Sequence, residues 1–272
     1  MAGPIQLLFI GCGNMGAAIV GGALRNLPGV HITALDPDVD RARSLLPPGA
    51  EVDLHGSLSE ISGIRPDLTI LGTKPQTFPT LADELVGLIR QAPVVSIMAG
   101  ISLDRLNERL APARVVRVMP NLPALVGQGM SLGCTSADIP PELAHLVETL
   151  FSSIGGFALA VDEIQFEKAN PVFASGPGFV FAFAEQLILA AVSQGVPQDL
   201  AERLVIQTIT GSAEMLSKDP RGATGLKRAV SSPGGTTLAG LAVLEGEDGL
   251  PKILPEMLAA AHRRALELAK TA

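Results

Sequence analysis

The stretch Ile5-Gln6-Leu7-Leu8-Phe9-Ile10-Gly11-Cys12-Gly13-Asn14-Met15-Gly16, followed by Ala17 to Leu24, decides the fold. A short apolar run is bounded by a tight glycine turn, and small and apolar residues then recur as in a helix. Strand, turn and helix in that order give the G-x-G-x-x-G spacing a mechanism. Gly11 makes the turn, Gly13 leaves room for a pyrophosphate, and Gly16 lets the helix pack on the strand. Gly11, Cys12, Gly13, Asn14, Met15 and Gly16 are therefore the candidate dinucleotide loop.

Outward from this unit the pattern repeats. Val30 to Leu35 reads as a second strand ending at Asp36, about 20 residues past the third glycine, where a carboxylate can accept from the adenosine ribose hydroxyls. That favours NADH over NADPH. Arg41 and Arg43 follow and could reach a 2′-phosphate, and Asp36 could equally be a turn residue or helix N-cap before Pro37. Leu68 to Gly72, Val94 to Met98 and Val115 to Met119 read as further apolar strands of a parallel sheet covered on both faces. Ligands bind beyond the carboxyl ends of such strands, which makes Thr73, Lys74, Pro75, Ala99 and Gly100 candidates for the cofactor wall. Pro120-Asn121 occupies a similar place; Lys74 and Asn121 could each be solvent-facing loop residues instead.

Gly155 to Val161 reads as the last strand, and the pattern then turns helical, with Phe179 to Gln194, Pro197 to Leu216 and Pro251 to Lys270 as helices. The expected architecture is α/β: a Rossmann-type dinucleotide-binding domain over residues 1–161 and an all-α dimerisation and substrate domain over 162–272. A helical half of about 110 residues this rich in apolar side chains would struggle to bury them alone, so a homodimer or an assembly of dimers is expected. Within that half, Val230-Ser231-Ser232-Pro233-Gly234-Gly235-Thr236-Thr237-Leu238 sets a sharp bend before a helix N-terminus, a place suited to a carboxylate or phosphate. Simple helix capping by Ser or Thr is the plainer reading.

Composition narrows the classes. The 272 residues are 47% hydrophobic with a net charge of -7, which supplies a real core and argues against nucleic-acid binding. No apolar run long enough for a membrane span and no basic start to a signal peptide are read, so cytoplasm is expected. Cys12 and Cys134 lack metal-ligand spacing and are expected reduced. No Tyr or Trp is present, which excludes chemistry built on a Tyr-Lys pair. His31, His55, His145 and His262 are scattered and read as surface or packing residues.

The motifs together resemble the pyrroline-5-carboxylate reductases. The resemblance is carried by the glycine loop, Lys74-Pro75-Gln76, Ser96 to Ile101, Arg117 to Asn121 with Pro123 to Gly127, Ser175-Gly176-Pro177 and, most specifically, Val230 to Leu241. It implies reduction of the cyclic imine 1-pyrroline-5-carboxylate to L-proline with hydride from NAD(P)H, the last step of proline biosynthesis. It also implies a Rossmann domain followed by a helical domain that interlocks with its twofold mate. By resemblance, Thr237 is the hydroxyl that hydrogen-bonds or protonates the imine nitrogen, while Ser232, Gly235 and Thr236 hold the substrate carboxylate. No metal is implied.

The chain departs from the family pattern at several places. Phe179 stands for a Tyr, Ala174 for a Gly, Gly178 for an Ala, Leu122 for a Thr, Ala229 for a polar residue and Leu250 for an Arg, and Gly56 lies near where an Asn contacts the adenosine. These leave room for a related cyclic imine as substrate, or for a cofactor-binding protein without catalysis. A 3-hydroxyacid dehydrogenase would need a lysine and an asparagine one helical turn apart. Lys168 and Asn170 are two apart, on different helix faces, and Val172 holds the required place.

Overall fold

In the computed structural model, which describes residues 4–61, 63–89, 91–135 and 139–269, the chain forms two compact units. The first holds the described residues up to Ser175 and those from His262 onward; the second is Gly176–Ala261. Met1 to Gly3, and Lys270 at the expected end of the last helix, lie outside the described residues.

The first unit runs β1 (Gln6–Ile10), α1 (Asn14–Asn26), β2 (His31–Leu35), α2 (Val39–Leu45), β3 (Asp53–His55), β4 (Leu68–Leu71), α3 (Phe78–Ile89), β5 (Val94–Ser96), α4 (Leu103–Leu110), β6 (Val115–Pro120), β7 (Gly129–Thr135), α5 (Pro141–Ser152), β8 (Gly155–Leu159) and α6 (Glu163–Phe173). The strands form one sheet in the order β3-β2-β1-β4-β5-β6-β7-β8. β1 pairs in parallel with β2, Gln6 opposite His31, and with β4, Leu7 opposite Leu68. The chain thus moves outward from β1 to β3 and then crosses back to β4, which opens a crevice at the carboxyl ends of β1 and β4. Side chains alternate along β1: Leu7 and Phe9 enter one core with Ile19 and Phe151, Leu8 and Ile10 the other with Phe78 and Leu85. Both faces are therefore covered, as near-continuous apolar strands require.

The sheet differs from the expected one in two ways. β7 runs antiparallel to β6, Arg117 opposite Cys134. The connection between them is residues 121–128 only, short of the roughly dozen that a parallel crossover needs. A 3-10 turn over Leu122–Val126, closed by Gly127 at φ 70°, reverses the chain there. β3 is a brief polar edge strand with no apolar run to announce it. α6, the first helix of the expected helical domain, packs compactly with the sheet unit. Phe166 is fully buried among the sheet's core residues, and Asp162 caps the helix by accepting from the Gln165 N–H at 2.7 Å.

The second unit contains α7 (Gly176–Ser193), α8 (Gln198–Lys218), α9 (Gly222–Ala229), α10 (Thr236–Leu244) and the first turns of α11 (Leu250–Ala269). α7 and α10 have no buried residue, and exposed apolar side chains crowd α7, among them Val180, Phe181, Phe183 and Leu189. Contrary to the sequence reading, an 18-residue window within Glu163–Ser193 is long and apolar enough to cross a membrane, at a mean hydropathy of 1.5. The segment is two helices, interrupted at Ala174-Ser175 and carrying Pro171 inside α6.

Candidate active site

At the β1 carboxyl end, Gly11 takes φ 95° and donates its N–H to Leu35 O at 2.7 Å. A side chain there would meet the Gly72 backbone at 2.7 Å, and one at Gly16 would meet Gly11 O at 2.5 Å, whereas a Cβ on Gly13 would meet nothing within 4 Å. The three glycines thus divide the work as their spacing implies: two permit close packing and the middle one leaves an open face. Gly13 is the N-cap of α1, and no side chain caps that helix. Its first N–H groups, at Asn14, Met15 and Gly16, have no partner within the helix and can receive an anion.

Asp36 sits at the end of β2 and braces this loop. One carboxylate oxygen accepts from the Cys12 N–H at 2.9 Å and the other from the Asp38 N–H at 3.0 Å. The N-cap of α2 is Asp38, which accepts from Arg41 N at 3.1 Å, so Asp36 is not the cap. The Cys12 side chain points into the core, where burial first and the Asp36 charge second push its thiol up to about 11. Such a thiol stays protonated and is no nucleophile at neutral pH. Just past β3, the Gly56 N–H donates to Glu60 Oε2 at 3.2 Å and Ser57 donates to Glu60 Oε1 at 2.9 Å; these bonds hold the Glu60 carboxyl below its usual range.

Thr73, Lys74 and Pro75 follow β4. The Thr73 hydroxyl is 3.5 Å from Met98 Sδ, the Lys74 side chain is exposed, and Pro75 starts the 3-10 turn into α3. Ala99 and Gly100 follow β5, with Gly100 at φ 77°. Asn121 is committed elsewhere: its amide donates to Phe173 O at 2.9 Å and accepts from the Met130 N–H at 2.8 Å, tying the end of α6 to β7. His55 lies 3.7 Å from Glu60, and His262 contacts Glu167 O at 3.1 Å, while His31 and His145 are exposed. Lys168 and Asn170 lie on α6 at the two-residue spacing that separates them in direction.

In the second unit, the Gly235 N–H donates to Ser232 O at 3.0 Å, with Gly234 at φ 72°. Pro233 followed by a left-handed glycine is the chemistry of a tight β-turn. The Ser232 hydroxyl lies against Gly235, where any side chain would approach it to 2.5 Å. Gly235 is the N-cap of α10, and no side-chain bond closes the first turn, so the plain capping reading does not hold. Thr236 and Thr237 are exposed on that turn. The loop therefore presents hydroxyls and unpaired backbone N–H groups together at the positive end of a helix.

Comparison with known proteins bears on both units. Residues 163–268 match the model of pyrroline-5-carboxylate reductase dimerisation, and residues 6–100 match that of NADP oxidoreductase, coenzyme F420-dependent. Pyrroline-5-carboxylate reductase of Synechocystis is 32% identical over 268 residues, which cover 98% of this chain and 99% of that protein. The chain belongs to the pyrroline-5-carboxylate reductase family. Among solved structures of that family, the Coxiella burnetii reductase superposes with a TM-score of 0.89 at 28% identity, covering 96% of this chain and 97% of that one. The Plasmodium falciparum enzyme, solved with NADP bound, gives 0.79 at 26% identity, over 97% and 98% of the two chains.

Several departures from the reductase pattern can now be placed. Leu122 is 52% exposed on the turn between β6 and β7. Phe179 is half-buried on α7, and Ala229 is exposed at the end of α9. At Gly56, Glu60 occupies the space beside the missing side chain, 3.2 Å from where a Cβ would be.

One cluster escaped the sequence reading. Arg117 on β6, its side chain 3% exposed, donates from one nitrogen to Glu163 at 2.7 Å and Glu167 at 2.6 Å. Its guanidinium lies 4.5 Å from the centre of the Phe166 ring. Glu163 also accepts from the Leu103 N–H at 2.8 Å, at the start of α4 just past the Ala99–Gly100 wall. An arginine inside the apolar run Val115-Val116-Arg117-Val118 was the available signal, since a charge so placed needs a buried partner. Glu163 and Glu167, four apart and so on one helix face, were the matching one.

Proposed function

We propose that this chain reduces 1-pyrroline-5-carboxylate to L-proline with NAD(P)H, in the cytoplasm, as a homodimer or an assembly of dimers. The observation that carries the reading is the Ser232–Thr237 loop, whose helix start is left uncapped, in a chain alike over nearly its whole length to a protein named for this activity. The membrane-length segment overlaps the dimerisation match, which favours a protein interface over a bilayer as the cover for α7.

The residues fit a dinucleotide: Gly13 offers an open face, α1 an uncapped N-terminus, and Gly11 a backbone conformation that other residues rarely adopt. When bound, the reduced dinucleotide supplies the hydride. The loop of Gly11, Cys12, Gly13, Asn14, Met15 and Gly16 would hold its pyrophosphate; Thr73, Lys74, Pro75, Ala99 and Gly100 would line the crevice beside it. Asp36 would accept from the ribose hydroxyls and disfavour a 2′-phosphate, giving a modest preference for NADH. Ser232, Gly235 and Thr236 would neutralise the substrate carboxylate with fixed dipoles, which act without reorganisation. As the imine carbon is reduced, the Thr237 hydroxyl would donate to the ring nitrogen, which gains a proton replaced from water.

The test is oxidation of NADH and NADPH with 1-pyrroline-5-carboxylate, run beside thiazolidine- and piperideine-type imines. Thr237→Ala should lower kcat by about 10- to 100-fold or more, the loss of a positioned proton or hydrogen-bond donor. Full activity in that variant would remove Thr237 from the mechanism. Turnover confined to another ring would move the substrate to a related imine, and NADH binding without any turnover would leave a cofactor-binding protein.

A further inference from the structure

The substrate loop lies between two helices, and a single ion pair ties them. Lys227 in the last turn of α9 places Nζ 2.6 Å from Oε1 of Glu245, the residue that ends α10. The same lysine anchors the loop through its backbone: the Ser231 hydroxyl donates to Lys227 O at 2.7 Å, and the Ser231 N–H donates to Arg228 O at 3.1 Å. The loop then turns at Ser232–Gly235 and enters α10. One end of α10 is thus held by the loop, and the other, about 13 Å away by helical rise, by the Lys227 side chain. α10 has no buried residue, so packing inside the chain does not set its direction.

We infer that the Lys227–Glu245 pair is a positioning device for the substrate loop: it fixes the axis of α10 and with it the places of Thr236 and Thr237. The inference rests on the reading of the loop as the imine site. Both side chains are 44% exposed, and exposed pairs add little to stability. A small rotation of α10, by contrast, displaces the Thr237 hydroxyl, and displacements near 1 Å can cost on the order of 100-fold in rate. Lys227 also brings positive charge to the carboxyl end of α10, where the helix dipole favours it.

Lys227→Met and Glu245→Gln separate position from field. The substrate is an anion, so if the residues acted only through their charge, removing the cation would raise KM for the imine and removing the carboxylate would lower it. Positioning requires the same direction for both. We expect each variant to raise KM for 1-pyrroline-5-carboxylate and lower kcat, about 10-fold together in kcat/KM. KM for the dinucleotide and Tm should not move, and the exchanged pair Lys227→Glu with Glu245→Lys should recover activity to within about threefold, as restored geometry would. Opposite shifts in the two variants, no shift in either, or no recovery in the exchanged pair would overturn the proposal. Absence of turnover in the unmodified chain would defeat the loop reading itself; turnover there with unaltered variants would defeat only the ion-pair proposal.

Discussion

Arg117 and Phe183 mark how differently the two units treat their side chains. Arg117, a permanent charge, is 3% exposed inside the sheet unit, met by two carboxylates and an aromatic face. Phe183, an apolar ring, is 49% exposed on α7 in company with Val180, Phe181 and Leu187. The sheet unit supplies this charge with partners from the same chain, although Arg117 Nε and the hydroxyls of Thr69 and Ser131 are buried there without one. The helical unit leaves outward the groups that water least favours, as a surface shaped for another copy does. The family description of residues 163–268 as a dimerisation region agrees with that contrast.

The largest expected effect breaks the sheet unit's self-sufficiency. Arg117→Ala would leave Glu163 and Glu167 facing each other beside an apolar sheet, and truncating one member of a buried charge cluster costs about 3–5 kcal/mol. Denaturant unfolding should show a loss of that size, and Arg117→Met combined with Glu163→Gln and Glu167→Gln should recover much of it, because the unpaired charges are gone. A change below about 1 kcal/mol in Arg117→Ala would mean that the cluster is solvated and that α6 is held by Phe166 and Asn121 instead.

A smaller effect tests the other side. Phe183→Glu should leave the sheet unit intact and reduce the proposed dimer to monomer at micromolar concentration in light scattering. Removing one buried aromatic loses about 2 kcal/mol per protomer, before any penalty for the charge. A dimer unchanged in mass would show that α7 is not the covered face, and the contrast between the units would lose its explanation.

The same contrast explains what could be read from the chain. β1, its glycine turn and α1 were legible because each level agrees: an apolar run, residues that tolerate the turn, and a helix of small residues. The parallel core strands were legible for the same reason. β7 was not: Met130, Leu132 and Cys134 do alternate with small or polar residues, but two glycines and a serine weaken the strand signal, and its direction is dictated by a short connection rather than by its residues. The helical character after Asp162 was plain, yet the allegiance of α6 was hidden, since it depends on Arg117, 46 positions before Glu163. At the candidate site, residue types were readable and commitments were not. Asn121 looked available and is spent on Phe173 and Met130; Asp36 looked like a turn residue or a ribose acceptor and also braces the Cys12 N–H.

Asp36, a brace with a proposed part at the ribose, makes the finest test. Asp36→Asn keeps the size and one acceptor for the backbone but removes the charge that would face a 2′-phosphate. Two charges about 5 Å apart interact by about 0.8 kcal/mol in bulk water and about 3 kcal/mol at the effective dielectric constant near a protein surface, so the ratio of kcat/KM for NADPH to that for NADH should rise at least about 10-fold. Adding Arg41→Ala should then lower the ratio again, since no carboxylate would mask the guanidinium. The shift should shrink in roughly 1 M salt, where the screening length falls to about 3 Å, shorter than the separation of the two charges. An unmodified protein that prefers NADPH would place the choice with Arg41 and Arg43 instead. Asp36 would then be left with its bonds to the Cys12 and Asp38 N–H groups, a brace within the sheet unit rather than a reader of the cofactor.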